Sequence, residues 1–426
     1  MHNGTVTAAA LVLSHEEQYG RLADATPSAV EVAVVAGDPC FDRIRASQPH
    51  RTDFRHALGT GPASTVVVVS STWGPDSLFG RHPDLIGEIL SELTLDDHVV
   101  AAILHPNVWF AHGPAQIRRW LADALRAGLR LIPPERGWQQ GILAADLVIG
   151  DNGAVTGYAA ACGIPTMLAA FPDDAVAPGS AIDALGKAAP RLSVRGSLRA
   201  QLSAAVDDFD SNQFALVTEL VTSVPDKSAT LLRRLFYQLM RLPEPAAQAL
   251  VPHLAAADLR PERQPVRAMW VDYAWTGRDE VLLRRWPADV PTRRAREPRT
   301  ADTHLVAHHD HPQRALRANA AIIVVPVSEF DTATENRLAA LLHAQQGAAM
   351  AVAVRNDECL VRQRNGRQLT LRPEQPLPPT ADGSLGASAV YGWLTDGRNW
   401  TSLPATITIR VGAATVRVAI SRPAGQ

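Results

Sequence analysis

The chain of 426 residues has very few lysines and cysteines, and each scarcity argues against a class of protein. Lys187 and Lys227 are the only lysines, so arginine carries nearly all of the positive charge. The net charge of −2 gives no electrostatic reason to expect a nucleic-acid partner. Cys40, Cys162 and Cys359 lie far apart in the sequence, which argues against a disulfide framework or a zinc site. We therefore expect no metal and no other cofactor.

Hydrophobic segments long enough for membrane insertion are also missing. The apolar stretch near the amino terminus is short and follows no basic segment, so a signal peptide is not predicted. No window approaches the length needed to cross a bilayer. Contents of 46% apolar and 20% charged residues are ordinary for a globular protein. We expect a cytoplasmic protein of two or three domains, without stable membrane insertion.

Apolar runs alternate with helix-period segments through the first half of the chain. The four successive valines of STVVVVSST (64–72) are typical of a strand that is buried on both faces. HVVAAILHP (98–106) and DLVIGD (146–151) predict further strands, and helical patterns lie between them. This order predicts a doubly wound α/β unit with a parallel sheet. The predicted strands end at Ala36, Thr72, His105, Pro133, Gly150 and Ala170.

The rest of the chain has a different character. Residues 206–300 predict helices broken by prolines, followed by a linker rich in arginine, proline and tryptophan. Residues 301–426 predict a smaller α+β domain of unknown role, with a hairpin turn at Asn365-Gly366. The α/β unit itself is predicted to span residues 30–205.

The most informative stretch is a predicted strand, turn and helix near the middle of the chain. The strand ends at Asp151, an Asn152-Gly153 turn follows, and small residues open the helix. This arrangement leaves backbone N–H groups and the positive end of the helix dipole facing the crevice above the sheet. Gly153 and Ala154 let a phosphate approach the backbone closely, and Thr156 could add a hydroxyl. The alternative is that the small residues only allow tight packing of the helix on the sheet.

Polar and aromatic residues follow two other predicted strands. Ser71, Thr72 and Trp73 come after the valine-rich strand, and His105 comes after the next one. In open α/β sheets, ligands bind at the carboxyl ends of the strands. Trp73 is placed where a base or a sugar could stack. The alternatives are that the tryptophan packs in the core and that the histidine caps a loop.

This order of motifs resembles the C-terminal domain of two GT-B families, the UDP-N-acetylglucosamine 2-epimerases and the CDP-glycerol glycerophosphotransferases. The GNP-x-x-D element of the epimerases is similar to residues 37–42, which read Gly-Asp-Pro-Cys-Phe-Asp. The histidine-proline element of both families is matched at 105–107, and their DSGG-type or DYSS-type turn at 151–154. The following helix ends in G-x-P, as at 163–165. The resemblance covers about residues 30–175.

The chain also departs from both families. They usually carry a carboxylate for the ribose hydroxyls shortly after the turn, and no acid is present near Gly157-Tyr158. The arginine pair of the epimerases is replaced by Ser-Ser-Thr-Trp at 70–73, which is nearer to the PTW-type element of the transferases. The resemblance therefore implies a glycosyl- or glycerophosphotransferase-like activity in preference to epimerisation.

The resemblance implies a protein that binds a nucleotide-activated sugar or polyol. His105 would then contact the diphosphate or act in acid–base catalysis, the turn at 151–156 would hold the pyrophosphate, and residues 71–73 would shape the donor pocket. Residues 1–29 would be a remnant or the end of an N-terminal Rossmann half, completed by a missing upstream segment or a partner chain. The competing hypothesis is a non-catalytic binding or scaffold protein built on a degenerate GT-B half.

A dense group of histidines lies near the start of the last region. It comprises His304, His308, His309 and His311, with Asp310 among them. Residues two apart on a strand share a face, so His309 and His311 could share a metal. The alternative, a solvated strand end, is the one that we expect.

Overall fold

The computed structural model describes residues 6–193, 195–291, 302–378 and 380–423. Within these residues the chain forms a two-stranded parallel sheet, a five-stranded parallel sheet and a closed nine-stranded barrel. Part of the predicted linker (292–301) lies outside the described residues, as do the first five residues of the predicted amino-terminal segment.

The two-stranded sheet pairs β1 (Leu11–Leu13) with β2 (Ala33–Val35), and α1 (Gln18–Ala25) lies between them in sequence. The prediction that the strand ending at Ala36 belongs to the main sheet was wrong, because β2 pairs with β1 alone. The preceding residues, Pro27–Val32, form a 3₁₀ helix. Proline fixes its own φ angle and has no N–H for a strand ladder, so the apolar run starts as a helical turn and leaves only three residues to pair.

The five-stranded sheet confirms the predicted parallel sheet. Its order is β5-β4-β3-β6-β7, and all neighbours are parallel. The chain order reverses between β3 and β6, which creates the crevice where ligands bind in doubly wound sheets. The strands are β3 (Thr65–Ser71), β4 (His98–Leu104), β5 (Arg130–Ile132), β6 (Leu147–Gly150) and β7 (Thr166–Leu168).

Helices cover both faces of this sheet. Val67 and Val69 of β3 pack with α5, α7 and α8 on one face, while Val66 and Val68 pack with α3 and α9 on the other. Burial on both faces explains the uninterrupted valine run. The helices are α2 (Pro39–Ser47), α3 (Arg51–Ala57), α4 (Leu78–Arg81), α5 (Leu85–Glu92), α6 (Pro106–His112), α7 (Pro114–Trp120), α8 (Ala122–Arg126), α9 (Trp138–Ala144), α10 (Ala154–Ala161), α11 (Ala181–Ala188), α12 (Leu198–Asp207), α13 (Ala215–Val221) and α14 (Ser228–Met240).

The barrel is a mixed sheet that closes through antiparallel pairing of β8 with β10. Its order is β10-β11-β12-β13-β14-β16-β15-β9-β8. The strands are β8 (Ala268–Trp275), β9 (Glu280–Pro287), β10 (Thr303–His308), β11 (Ile322–Pro326), β12 (Met350–Arg355), β13 (Glu358–Gln363), β14 (Gln368–Pro373), β15 (Thr406–Val411) and β16 (Ala414–Ser421).

A helix fills the interior of the barrel. The helices of this region are α15 (Arg314–Asn319), α16 (Thr332–Ala344) and α17 (Ser384–Thr395). α17 is buried around nearly its whole circumference and packs against strands on several sides of the barrel. α15 and α16 cover the outside. In the described ranges, no helix is both long enough and apolar enough to cross a membrane.

Two strands of the barrel lie where the sequence predicts a linker. In β8, the inward-facing Met269, Val271 and Tyr273 alternate with Trp270 on the outer face, which hides the period of two. In β9, the alternation is broken by Arg285, which is buried although it is charged. The smaller α+β domain that the sequence predicts begins at residue 301. It therefore leaves out β8 and β9, which the structure places in the barrel.

Charged side chains join the α/β unit to the barrel. Asp96 accepts a hydrogen bond from Nε of the buried Arg285 at 3.0 Å, and a second from the same guanidinium. Arg126 Nε donates to Asp289 at 2.8 Å, and His311 Nε2 lies 3.1 Å from the same carboxylate. These contacts fix the amino-terminal ends of the five-stranded sheet against the barrel.

Candidate functional site

The carboxyl ends of three adjacent strands bring the predicted site residues to one edge of the sheet. His105 follows β4, residues 71–73 end or follow β3, and residues 152–156 follow β6. β3 pairs with β4 on one side and with β6 on the other, and Ser71 lies opposite Leu104. Three separate sequence segments therefore meet at the crevice between β3 and β6.

The buried carboxylate of Asp151 holds two of these segments together. It accepts hydrogen bonds from the backbone N–H groups of Thr72 at 2.8 Å, Leu78 at 2.9 Å and Gly153 at 3.1 Å. The Ser71 hydroxyl donates to it at 3.2 Å. Burial raises the pKa of Asp151 above its usual range, and these hydrogen bonds oppose that rise. The sequence identified Asp151 only as a strand end; an aspartate before a tight turn was the available signal for this role.

Ser71 and Gly153 also shape the loops. The Ser71 hydroxyl accepts a hydrogen bond from Phe79 N at 2.9 Å in addition to its bond with Asp151, so both of its hydrogen-bonding functions are used within the protein. A Cβ atom at Gly153 would lie 3.3 Å from Thr72 Cβ and 3.1 Å from Asp151 Oδ1. The glycine thus permits the β3 and β6 loops to approach each other closely.

Thr156 is fully buried and lies under the helix. Its side chain occupies the space that a Cβ atom at Gly150 would need, so it packs α10 against the end of β6. Its hydroxyl has no hydrogen-bond partner in the described part of the chain. This hydroxyl, which the sequence predicts to add to a phosphate site, faces the end of β6 at Gly150.

The first turn of α10 is left without a cap. Gly153 stands at the N-cap position and supplies no side-chain acceptor, unlike Ser180 before α11 or Ser197 before α12. The backbone N–H groups of Ala154 and its two successors have no partner among the described residues. Free N–H groups and the helix dipole together favour an anion at this end.

A cavity of about 400 Å³ opens at this helix end. Asn152, Ala154 and Tyr158 line it from the β6 loop and α10, and α11 and α13 contribute further residues. Glu17, the residue before α1, and Arg21 of α1 line it as well, and they form an ion pair at 2.7 Å. The cavity therefore joins the uncapped helix to a charged pair from the amino-terminal segment.

The structure places the carboxylate of Asp38 beside Tyr158, although no acidic residue is close to Tyr158 in the sequence. The Tyr158 hydroxyl donates to Asp38 Oδ2 at 2.7 Å, and Asp38 Oδ1 caps α2 by accepting from Cys40 N and Phe41 N, each at 2.9 Å. Burial, and then the charge of Asp38, raises the pKa of Tyr158. Sequence reasoning missed this pair because its members lie 120 positions apart.

His105 and Trp73 form the other side of the crevice. His105 Nδ1 accepts a hydrogen bond from Asn107 N at 3.1 Å and so caps α6. The proton of the neutral ring is then on Nε2, which has no partner in the described ranges. The ring centroids of His105 and Trp73 are 6.5 Å apart, and Trp73 is 58% exposed. The pair presents a hydrogen-bond donor beside an open aromatic face.

The histidines near residue 308 do not form a metal site. β10 ends at His308, so His309 and His311 do not share a strand face. His309 Nε2 lies 2.9 Å from Arg337, whereas His311 is buried against Asp289. Among the described residues, no group of three or more histidine, cysteine, aspartate or glutamate side chains could hold a metal ion.

No family model matches this chain, and no curated protein matches it in sequence. Among solved structures, it is similar to the wall teichoic acid polymerase TagF at 14% identity and a TM-score of 0.38, covering 55% of this chain and 56% of that one. It is similar to the UDP-GlcNAc 2-epimerase from Neisseria meningitidis at 11% identity and a TM-score of 0.35, covering 54% and 61%. Anabaena Alr3699/HepE, solved with UDP-glucose, matches at 14% identity and a TM-score of 0.32, covering 55% and 64%.

All three matches have the GT-B fold, the superfamily that the sequence motifs resemble. The chain spans less than two thirds of the length of each of these structures. The ligands named for those proteins are therefore properties of those proteins.

Proposed function

We propose that the α/β unit binds a nucleotide-activated sugar or polyol and transfers the activated group, as a glycosyl- or glycerophosphotransferase does. The observation that carries this proposal is the uncapped first turn of α10, which follows β6 and whose first residue, Ala154, lines the cavity. Three unpaired N–H groups at the positive end of a helix are a binding site for a phosphate. Nucleoside-diphosphate groups are the ligands that such a crevice commonly binds.

The diphosphate would lie against the backbone at Ala154 and the two residues after it. Ala154 is exposed and lines the cavity, so its small side chain allows close approach. Asp151 and Ser71 would act as positioning residues, since their polar atoms hold the β3 and β6 loops and are not free for a ligand. Asn152 lines the same cavity, and Thr72 and Gly153 would shape the crevice beside it, where the β3 and β6 loops meet.

His105 would contact the diphosphate or the reacting group through Nε2. Because Nδ1 accepts from Asn107 N, the neutral ring has one hydrogen to donate, and it is on Nε2. Trp73 beside it offers a face on which a base or a sugar ring can stack. The donor would thus extend from α10 across β3 towards the end of β4.

The alternative is a protein that binds such a ligand without turnover. The observation in its favour is that these polar side chains are hydrogen-bonded within the protein, Ser71 to Asp151 and Tyr158 to Asp38. Of the catalytic candidates at the crevice, His105 alone carries the acid–base role in this account. The two hypotheses therefore predict different effects on turnover when the Nε2 donor of His105 is removed.

The substitution His105→Asn tests this difference. Asparagine is a good N-cap residue, so the variant keeps the cap of α6 while it removes the Nε2 donor. If the protein is a transferase, the variant should lose turnover with UDP-, CDP-, GDP- or TDP-linked donors by about 100-fold or more, with less effect on binding. The matched control is His112→Asn, at the exposed end of the same helix. Wild-type binding without any turnover would favour the binding protein, and unchanged turnover in His105→Asn would remove His105 from the mechanism.

A further inference from the structure

A second cavity, of about 500 Å³, lies at the opposite end of the five-stranded sheet from the candidate site. His98 and Arg130, the first residues of β4 and β5, line it from the α/β unit. Met269 of β8 and Asp382 line it from the barrel region. The cavity is therefore built where the two parts of the molecule meet.

Backbone pairing places two arginines opposite each other in this cavity. Leu131 and Glu262 form an antiparallel bridge, in which Leu131 N donates to Glu262 O at 3.0 Å and Glu262 N donates to Leu131 O at 2.8 Å. In an antiparallel pair, the residue before one partner faces the residue after the other, so Arg130 faces Arg263. Like charges directly opposite each other destabilise such a pair.

Neither arginine has a carboxylate partner in the described residues. Arg130 donates only to backbone carbonyls, at 3.3 Å to Leu58 O and 3.0 Å to Gly128 O. Burial, and then the charge of Arg263, lowers the pKa of Arg130 to about 10. The Arg263 guanidinium lies over Gly59, where a Cβ atom would come within 2.6 Å of Nη1. Gly59 also has a φ angle of +75°, which favours glycine. Both the backbone angle and the closeness of Arg263 therefore require a residue without a side chain at this position.

The other charged groups of the cavity are already paired. Arg285 binds Asp96 through two hydrogen bonds. Asp382, the one carboxylate among the described lining residues, accepts from Ser384 N at 2.9 Å and lies 3.5 Å from His308. The uncompensated charge in the cavity is therefore positive.

We propose that this cavity binds a small molecule that carries a phosphate or carboxylate group, held between the guanidinium groups of Arg130 and Arg263. Arginine binds such oxyanions through paired, charge-assisted hydrogen bonds. The volume lies within the range of small-molecule sites. Leu93, Leu95 and Val266 line the same cavity and provide apolar contacts for the organic part of the ligand.

Calorimetric titration of the full chain in chloride buffer tests the proposal, with phenyl phosphate, benzoate and inorganic phosphate as probes. We expect saturable binding of phenyl phosphate or benzoate, and the tighter of the two identifies the oxyanion. Inorganic phosphate that binds as tightly as phenyl phosphate identifies free phosphate as the ligand. Binding should weaken at least about tenfold in Arg263→Gln, since one of two charge-assisted contacts is lost. It should not change in Arg278→Gln, an exposed arginine in the turn between β8 and β9.

Two further results separate this site from the candidate site and from a purely structural role. Ala154→Glu, at the start of α10, should leave phenyl phosphate or benzoate binding here unchanged. Arg263→Glu should raise the unfolding midpoint of the ligand-free protein by about 1–2 °C, because an attractive pair replaces a repulsive one, and should abolish binding. No binding of any probe, equal binding by Arg263→Gln, loss of binding in Ala154→Glu, or a ligand-free Arg263→Glu protein no more stable than wild type would each overturn the proposal.

Discussion

In the α/β unit, the buried carboxylate of Asp151 accepts hydrogen bonds from three backbone N–H groups and from Ser71, whereas in the barrel the equally buried imidazole of His304 has none. His304 lies on β10 and packs against aromatic rings, with its centroid 4.5 Å from that of Tyr391 on α17. Neither ring nitrogen has a partner among the described residues. The polar group of Asp151 is thus fully satisfied, whereas that of His304 is not.

The difference follows from how each region fixes its backbone. The loops at the carboxyl edge of the parallel sheet have no ladder to hold them, so a side chain must supply the acceptors that their N–H groups need. The barrel closes its own ladder and packs α17 inside, so its strands do not use the imidazole of His304 as a hydrogen-bond partner. We therefore expect substitution of Asp151 to be costly and substitution of His304 to be tolerated or favourable at low pH.

The largest effect should come from Asp151→Ala. The variant leaves three backbone N–H groups in the loops without their acceptor, and we expect the free energy of unfolding to fall by about 3 kcal/mol. Urea unfolding measures the loss. Asp151→Asn, which keeps one acceptor oxygen, should have a free energy of unfolding between those of Asp151→Ala and wild type. A loss below about 1 kcal/mol in Asp151→Ala would mean that the loops do not need this carboxylate.

The next effect depends on pH and concerns His304. Burial lowers the pKa of His304 to about 3 in the folded protein, below the ordinary value of 6.5, so protonation favours the unfolded chain. The contribution of His304 to stability should fall as the pH drops below 6.5 and level off near 3, by up to about 1.4 kcal/mol per pH unit. His304→Phe lacks this dependence, so at pH 4.5 it should be about 2–3 kcal/mol more stable relative to wild type than at pH 7.5. If the stabilities of wild type and His304→Phe change with pH in parallel, the imidazole of His304 must have a hydrogen-bond partner in the folded protein.

A smaller effect is expected for Ser71→Ala. The variant removes the acceptor of Phe79 N and one donor to Asp151, which should cost about 1–2 kcal/mol of stability. Affinity for a nucleoside diphosphate should change by less than about threefold, since Ser71 acts through the loops. A large loss of affinity with little loss of stability would instead place the hydroxyl in contact with the ligand.

The sequence predicted the five-stranded sheet because its strands are buried on both faces and therefore read as uninterrupted apolar runs, as at Val66 to Val69. It did not predict the barrel strands β8 and β9, because Trp270 on the outer face and the buried Arg285 break the alternation that marks a strand. The charge of Arg285 is compensated by Asp96, which is distant in sequence. No local pattern carries that information.

The candidate site divides in the same way. The residues that follow β3, β4 and β6 were predicted to lie together because parallel strands end at one edge. What each side chain does there depends on partners far away in the sequence. Tyr158 meets Asp38, and Thr156 turns towards Gly150 and away from the crevice. These contacts are fixed by how α10 packs, which a turn motif does not specify.

The measurement that tests the account most directly is nucleoside-diphosphate affinity in a pair of matched variants. Ala154→Glu puts a negative charge at the first residue of α10, where we propose that the diphosphate binds, and acids at this helix position do not harm stability. Ala215→Glu makes the same change at the exposed first residue of α13, outside the cavity. Calorimetry with UDP, CDP, GDP and TDP should show that at least one of them binds the wild type, that its affinity falls at least about tenfold in Ala154→Glu, and that Ala215→Glu matches wild type. Equal affinity in both variants, or no binding of any of the four to the wild type, would contradict the assignment of the α10 amino terminus as the phosphate site.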